Sequence, residues 1–201
     1  MKTFFASIFF IAFISFQVSA QDIAFKVGYN YSDVLASPEP LNAFTNRQSF
    51  HAGLAIKNIK ISPKIGIQPE LLFSNQGFSV ASYGDVSLNY ISLPILFTFP
   101  VTEGLDLQVG PQFNYLLNAD LSIPKTIFSL SYKGLFNDFD AGAVAGLEYQ
   151  VHKNISLGGR YYLGMANVNK DFTLGTTTTL NDYFNLNNTN AQLFVSFSFG
   201  K

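Results

Sequence analysis

Few residues in this chain have catalytic potential, and the clearest candidates are its two histidines. His51 lies two residues from Ser49, and residues two apart share one face of an extended strand. A histidine beside a serine hydroxyl is the arrangement that activates a nucleophile or transfers a proton. The alternative is a histidine whose role is a structural hydrogen bond inside the fold. His152 falls in a predicted tight turn and is expected to be solvated.

A second set of candidates consists of charged residues on the same, polar face of the predicted strands. An unpaired charge inside a protein costs several kcal/mol, so these residues are expected to pair with one another. The set is Lys26, Lys57, Lys64, Glu70, Asp106, Asp140, Glu148 and Arg160.

Within that set, Glu148 and Arg160 are predicted to form an internal ion pair across a hairpin. A turn at 152–154 places Glu148 either opposite Gly158 and diagonal to Arg160, or directly opposite Arg160. Either register leaves the two side chains within reach of each other.

The composition excludes several functional classes. The chain has 201 residues and no cysteine, which rules out a disulfide scaffold, a thiolate metal site and a cysteine nucleophile. Its 12 basic and 13 acidic residues give a formal net charge of −1, so nothing indicates a nucleic-acid partner. No histidine or carboxylate cluster has metal-ligand spacing, and no phosphate-binding glycine loop is present. We therefore expect neither a metal nor a cofactor.

The N-terminus has the pattern of a secretory signal peptide. A positive charge precedes the apolar stretch 4–16, and Val18-Ser19-Ala20 supplies the small residues of a cleavage site. Cleavage is expected between Ala20 and Gln21, which divides the chain into a signal peptide at 1–20 and one domain at 21–201. The apolar stretch is too short for a spanning helix, which needs about 20 apolar residues.

The remaining chain alternates between apolar and polar residues, segment after segment. Such a period of two indicates strands whose faces meet different environments. Each segment has the length of a tilted membrane-spanning strand. The predicted strands cover approximately 23–32, 49–57, 64–73, 90–99, 105–115, 139–149, 155–165 and 190–199.

The connections between these strands alternate between long and short. Long polar segments are predicted at about 33–47, 75–86, 118–138 and 167–188, and tight turns at 58–60, 101–104 and 152–154. Long loops at one end and tight turns at the other are typical of outer-membrane barrels. The sequence thus predicts an all-β fold: an eight-stranded antiparallel up-and-down transmembrane β-barrel with four long extracellular loops and short periplasmic turns.

The two faces of the predicted strands differ enough to decide which one meets lipid. The apolar face carries about forty side chains, many aromatic, and an eight-stranded barrel has no interior large enough for them. The opposite face is rich in small and polar residues and fits inside. A secreted β-sandwich that buries the same apolar face against a second sheet is the alternative. Aromatics near both strand ends predict two interfacial girdles. They are Tyr29, Tyr31, Phe50, Phe73, Phe113, Tyr115 and Phe139 at the long-loop end, and Phe25, Phe97, Phe99, Tyr149, Phe197 and Phe199 at the short-turn end.

Two sequence stretches carry a family resemblance. Asn89-Tyr90-Ile91-Ser92-Leu93-Pro94-Ile95-Leu96 and the later Leu107-Gln108-Val109-Gly110-Pro111-Gln112-Phe113 resemble the PorT-like outer-membrane β-barrel domain family of Bacteroidota. The resemblance covers nearly the whole exported chain and implies an eight-stranded barrel in the outer membrane. It implies little about activity, although the named member works in protein secretion. The chain departs from the usual terminal aromatic residue, because Gly200 and Lys201 follow Phe199.

The leading functional hypothesis is a non-enzymatic protein of the cell outer membrane. The barrel anchors the chain, and the surface loops contact envelope components or other proteins. Expected partners are outer-membrane lipid or lipopolysaccharide, proteins bound through the loops, and the barrel-assembly machinery during biogenesis. A small lipid-modifying enzyme centred on His51 and a narrow channel or secretion-associated barrel are the alternatives.

Overall fold

The computed structural model describes residues 22–37, 44–80, 84–122, 129–131, 133–170, 173–174, 178–179 and 185–199. The predicted signal peptide at 1–20 and its cleavage site between Ala20 and Gln21 lie outside them. The described residues form eight long strands. These are β1 Asp22–Ser37, β2 Phe44–Lys57, β3 Ile65–Val80, β4 Gly84–Thr102, β5 Leu105–Ser122, β6 Phe139–His152, β7 Ile155–Asn167 and β8 Asn185–Ser198.

Short elements complete the described structure. After Asn58, which has a positive φ of 62°, β2 continues as Ile59–Ser62 along β3. Ser129–Ser131 pairs with the end of β5, and a 3-10 turn follows at Lys133–Leu135. Thr173–Leu174 pairs with Thr178–Thr179.

The eight strands close into a ring in which every long strand pairs with its sequence neighbours. All pairings are antiparallel, and β2 also joins β3. The ring is closed by β1 and β8, whose register runs from Ala24 opposite Ser198 to Ser37 opposite Asn185. Closure pairs the sheet edges, which an open sheet in lipid could not leave exposed. The predicted eight-stranded antiparallel barrel is confirmed.

The apolar faces of the strands point outward and the small and polar faces point into the barrel, as the side-chain volumes predicted. Outward positions on β1 carry Phe25, Val27 and Tyr29, which are exposed, whereas Lys26 and Asn30 on the opposite face are buried. Rings of the long-loop girdle contact across neighbouring strands: Phe50 lies 6.0 Å from Phe73, and Phe113 lies 6.1 Å from Phe139. An apolar outer surface with aromatic rings at strand ends is the surface of a barrel in lipid.

The strands extend further toward the long-loop end than the alternation predicted. The long polar segments predicted at 33–47, 75–86, 118–138 and 167–188 are wrong in their bounds, because β1 to β5 and β8 continue into them. Arg47, for example, lies within β2 opposite Ser32 rather than in a loop. The short turns are closer to prediction, with Glu103–Gly104 and Lys153–Asn154 at two of them.

The missed strand ends have a physical cause, which is a reversal of polarity that β4 shows most clearly. On β4, the outward positions change from the apolar Ile91 and Leu93 to the polar Ser87 and Asn89. The inward positions there are apolar, with Val86, Leu88 and Tyr90 all buried. The pattern of apolar residues on the outer face therefore ends where the strand leaves the lipid, although the strand itself continues. Above this level the barrel has apolar side chains inside and polar side chains outside, as a water-soluble protein does.

Candidate functional site: the barrel interior and its long-loop end

The centre of the lumen holds a cluster of five charged side chains from five different strands. We call Lys26, Lys57, Glu70, Glu148 and Arg160 the ion-pair cluster. Lys26 Nζ donates to Glu70 Oε1 at 2.6 Å, and Lys57 Nζ donates to Glu148 Oε1. The Arg160 guanidinium donates twice to Glu70, at 2.7 Å to each carboxylate oxygen. Three cations and two carboxylates thus share one space, in which four of the side chains are buried and that of Lys57 is 12% exposed.

The predicted pair, Glu148 and Arg160, lies in this cluster with a separation of 3.7 Å between Oε2 and Nη2. Glu148 stands opposite Gly158 and diagonal to Arg160, which is the first of the two registers considered. The bidentate partner of Arg160 is Glu70, which is 90 residues away in sequence. Sequence reasoning missed this partner because β3 and β7 are not hairpin neighbours and meet only across the closed barrel.

Neutral side chains complete the hydrogen bonding of the cluster. Gln68 Nε2 donates to Glu70 at 2.7 Å, and Gln108 Nε2 donates to Glu148 at 2.9 Å. Arg160 Nε donates to the Gln108 side-chain oxygen at 3.0 Å. Buried ion pairs are tolerated when such contacts satisfy the remaining polar atoms. The cluster is therefore a hydrogen-bonded plug across the lumen.

An aromatic ring packs against the cations of the cluster. The Phe194 ring centroid lies 4.0 Å from Lys26 Nζ and 4.5 Å from Arg160 Cζ. A cation over an aromatic face is attracted by the ring quadrupole, most strongly where water is excluded. Gly158 on β7 makes room for this ring, because a Cβ there would lie 2.2 Å from Phe194 Cζ.

The three other predicted lumen charges lie outside the ion-pair cluster. Lys64 is exposed in the turn after β2, so its predicted inward position is wrong: it follows Pro63, where the chain has left the strand. Asp106 is partly exposed near the short-turn end. Asp140 is buried, and its Oδ2 accepts hydrogen bonds from Asn114 and Tyr162.

His51 is buried in the lumen, as its strand face predicted, but it is not paired with Ser49. The His51 Nδ1 atom lies 2.7 Å from Asn30 Oδ1. The Ser49 hydroxyl donates instead to the backbone oxygen of Asn75 at 2.6 Å. The structure therefore does not assemble the nucleophile and base that the sequence spacing suggested. His152 lies at the exposed end of β6.

The lumen is closed at its long-loop end by apolar side chains. We call this group the apolar cap: Val34, Phe78, Val86, Leu88, Tyr90, Leu116, Ala119, Phe136, Val168 and Leu186. Phe136 reaches it from the segment between β5 and β6. That segment is tied to the end of β7 by bonds from Asn137 N to Val168 O and from Lys170 N to Leu135 O, both 2.8 Å.

The short-turn end of the lumen is open. A cavity of about 620 Å³ lies there, and its lining includes Lys57, Gln68, Asp106, Glu148 and Ser156. Because Lys57 and Glu148 belong to the ion-pair cluster, the cluster forms the inner wall of the cavity. We call this cavity the vestibule. From this end, the lumen runs through the vestibule and the ion-pair cluster to the apolar cap.

No helix among the described residues is long and apolar enough to cross a membrane. Within the same residues, no group of three or more His, Cys, Asp or Glu side chains is arranged to hold a metal ion.

Several solved structures share this architecture. The Ail attachment invasion locus protein of Yersinia pestis is 16% identical, with a TM-score of 0.50 over 90% of this chain and 100% of its own. Neisserial surface protein A is 10% identical, with a TM-score of 0.56 over the same shares. A major outer membrane protein from Thermus thermophilus is 10% identical, with a TM-score of 0.50, again over 90% and 100%. At these identities the likeness concerns the fold.

A comparison with curated proteins finds no match. A sequence family described as "Outer membrane protein beta-barrel domain" matches residues 17–170, which is more than half of the chain. The match spans β1 to β7, the strands that provide all five charges of the ion-pair cluster. The chain is an outer-membrane protein and belongs to the outer membrane protein β-barrel domain family.

Proposed function

We propose that this barrel is a non-enzymatic anchor that presents its long-loop end to partners outside the cell. The observation that carries the proposal is the filled lumen. The ion-pair cluster and the apolar cap lie across the described lumen in series, and His51, the catalytic candidate, is buried with its Nδ1 on Asn30. These contacts favour a role for the outer surfaces of the barrel over one for its interior.

The surface at the long-loop end supports this role. Above the aromatic girdle, β4 and β5 present outward polar side chains, among them Asp85, Asn89 and Asn118. These strand ends form a polar outer surface above the lipid. Envelope components and other proteins are the partners that such a surface would meet.

The experiment is photo-crosslinking in living cells. A photoreactive residue at Gln48 or Asn118, both exposed at the long-loop end, is expected to capture a defined envelope component or protein. The same residue at Lys153, exposed at the short-turn end, is the matched control. Capture at Lys153 alone, or at none of the three positions, would contradict a surface-contact role.

We also propose that the chain lies within the PorT-like group of this family. Support comes from the two proline-containing stretches, which are neighbours in the barrel: Pro94 on β4 pairs with Gln112, which follows Pro111 on β5. A role in secretion would then be the alternative function. Deleting the gene and comparing proteins in the culture fluid tests it, because an anchor alone leaves that profile unchanged.

A further inference from the structure

Two lysines at the long-loop end share one carboxylate on the outside of the barrel. Lys133 Nζ lies 3.7 Å from Asp138 Oδ1, and Lys170 Nζ lies 3.9 Å from Asp138 Oδ2. We call Lys133 and Lys170 the lysine pair. With the single charge of Asp138, the group carries a net charge of +1. Both contacts are longer than a charge-assisted hydrogen bond of about 2.8 Å, and the Lys133 and Lys170 side chains are 37% and 39% exposed, so their ammonium groups are accessible to a second anion.

The lysine pair stands directly above the aromatic girdle. Lys133 Nζ lies 5.7 Å from the Tyr115 ring centroid. Tyr115 pairs in register with Phe139, whose ring stacks on Phe113. Tyr115 and Phe139 are each 54% exposed on the outer surface. Aromatic girdles mark the headgroup level of a membrane, and lysines beside them extend toward the headgroups. Cationic groups therefore sit above an apolar surface, as an anionic amphiphile requires.

Other described charges at this end do not offer the same site. The outward side chains Asp33, Asp85 and Asp120 are carboxylates and would repel an anion. The Arg47 guanidinium is engaged, because it donates to the Asn75 side chain and to the Gln76 backbone oxygen. Among the described residues at this end, the cationic site is thus confined to the lysine pair beside Tyr115 and Phe139.

We propose that the lysine pair and the rings of Phe113, Tyr115 and Phe139 bind one phosphorylated lipid of the outer leaflet, of the lipid A type. Its phosphate contacts Lys133 and Lys170, and its acyl chains lie over the three rings. The assignment deepens the proposed function and rests on its orientation, with the long loops outside the cell. Asp138 then weakens binding of the lipid, because its carboxylate competes with the phosphate for both lysines.

The test is native mass spectrometry of the folded barrel in detergent, titrated with lipid A. The double variant Lys133→Gln/Lys170→Gln is expected to bind lipid A roughly tenfold more weakly, since each exposed charge contact contributes about 2–5-fold. Lys60→Gln/Lys153→Gln, which removes two exposed lysines from the short-turn end, is the matched control and should bind as the unmodified barrel does. Asp138→Asn should bind more tightly, by about 2–5-fold.

Two further ligands separate the sources of the anion. Lipid A without its phosphates should bind weakly to every variant, and inorganic phosphate should not displace intact lipid A. The proposal is overturned if both double variants bind lipid A equally, if the dephosphorylated lipid binds as well as intact lipid A, or if inorganic phosphate competes. Because these measurements use purified protein, their failure would leave the crosslinking test of the proposed function untouched.

Discussion

Arg160 connects the charges of the lumen mainly through Glu70. Two hydrogen bonds of 2.7 Å join them, whereas the distance from Arg160 to Glu148 is 3.7 Å. Removing one member of a buried pair leaves the other charge uncompensated, which costs about 3–5 kcal/mol. The stability of the barrel should therefore depend on these residues as a group and not one by one.

A double-mutant cycle measures this dependence. Arg160→Ala and Glu70→Ala should each lower the unfolding midpoint in detergent, and the double variant should lose clearly less than the sum, because it leaves no unpaired partner between them. The parallel cycle of Arg160→Ala with Glu148→Ala should show a smaller coupling. A Glu148 coupling equal to or above that of Glu70, or additivity in both cycles, would contradict the contacts described.

A second residue prediction concerns His51. Its imidazole is buried and bound to Asn30, while Ser49 is engaged with the backbone of Asn75. We expect His51→Ala to leave the cellular lipid A profile unchanged and to reduce barrel stability by about 1–3 kcal/mol, since Asn30 loses a buried partner. Mass spectrometry of extracted lipid A checks the first part, with a gene deletion as control. A lipid species lost in both strains would revive the enzyme hypothesis.

At the scale of elements, the packing of β7 against β8 depends on Gly158, whereas the adjacent Gly159 has more space around it. A Cβ on Gly158 would meet the Phe194 ring at 2.2 Å, whereas a Cβ on Gly159 would lie 3.4 Å from Leu193 Cδ2 on the outer face. Gly158→Ala is expected to destabilise the barrel by roughly 1–3 kcal/mol through overpacking. Gly159→Ala is the matched control and should be nearly neutral.

Urea unfolding in detergent compares the two glycine variants. Adding Phe194→Leu to Gly158→Ala should recover part of the loss, because the smaller side chain relieves the contact. Equal effects of the two alanine variants would show that the Phe194 ring does not press against this part of β7.

The reversal of polarity on β4 gives an element prediction of its own. Leu88 is fully buried in the apolar cap, and its neighbour Asn89 faces outward. Leu88→Asn should cost about 2–5 kcal/mol, because it removes apolar contacts and buries an amide. Asn89→Asp keeps the oxygen that accepts from Asn75 and should be tolerated. Comparable losses in the two variants would argue against a lumen cap at this level.

The predictability of these elements follows from how local each signal is. Alternation between adjacent residues such as Lys26 and Val27 is local, so the strands, their inward face and the closed barrel follow from sequence. The pairing of Glu70 with Arg160 depends on how far the strands are staggered along one another, summed around the barrel, which no short segment encodes. The ends of β3 and β4 were missed because apolar residues there, such as Phe78 and Leu88, lie on the inward face, where polar residues were expected.

For the whole molecule, the orientation in the membrane is open to a direct test. Lys133 and Lys170 lie at the long-loop end, Lys60 and Lys153 are exposed near the short turns, and Lys26 is buried. A membrane-impermeant amine reagent should label the first two in intact cells, in the fraction of molecules whose lysine pair holds no lipid phosphate, and the next two only after the outer membrane is opened. Lys26 should stay unlabelled in both samples. Labelling of Lys60 and Lys153 in intact cells would invert the barrel. Lys125, expected to be accessible with them, lies outside the described residues.

The change of environment along β4 also bears on how mutations are tolerated within one strand. Around Leu93, a charge pointing outward meets hydrocarbon, and one pointing inward needs a partner. Around Leu88 the tolerance reverses, because the outward positions meet water and the inward ones an apolar core. In a mutational scan along β4, the positions that tolerate a charge should therefore change phase near Tyr90. They switch there from one set of alternate residues to the other. The residue where the phase changes would locate the membrane surface from the amount of folded barrel that each variant leaves in the outer membrane.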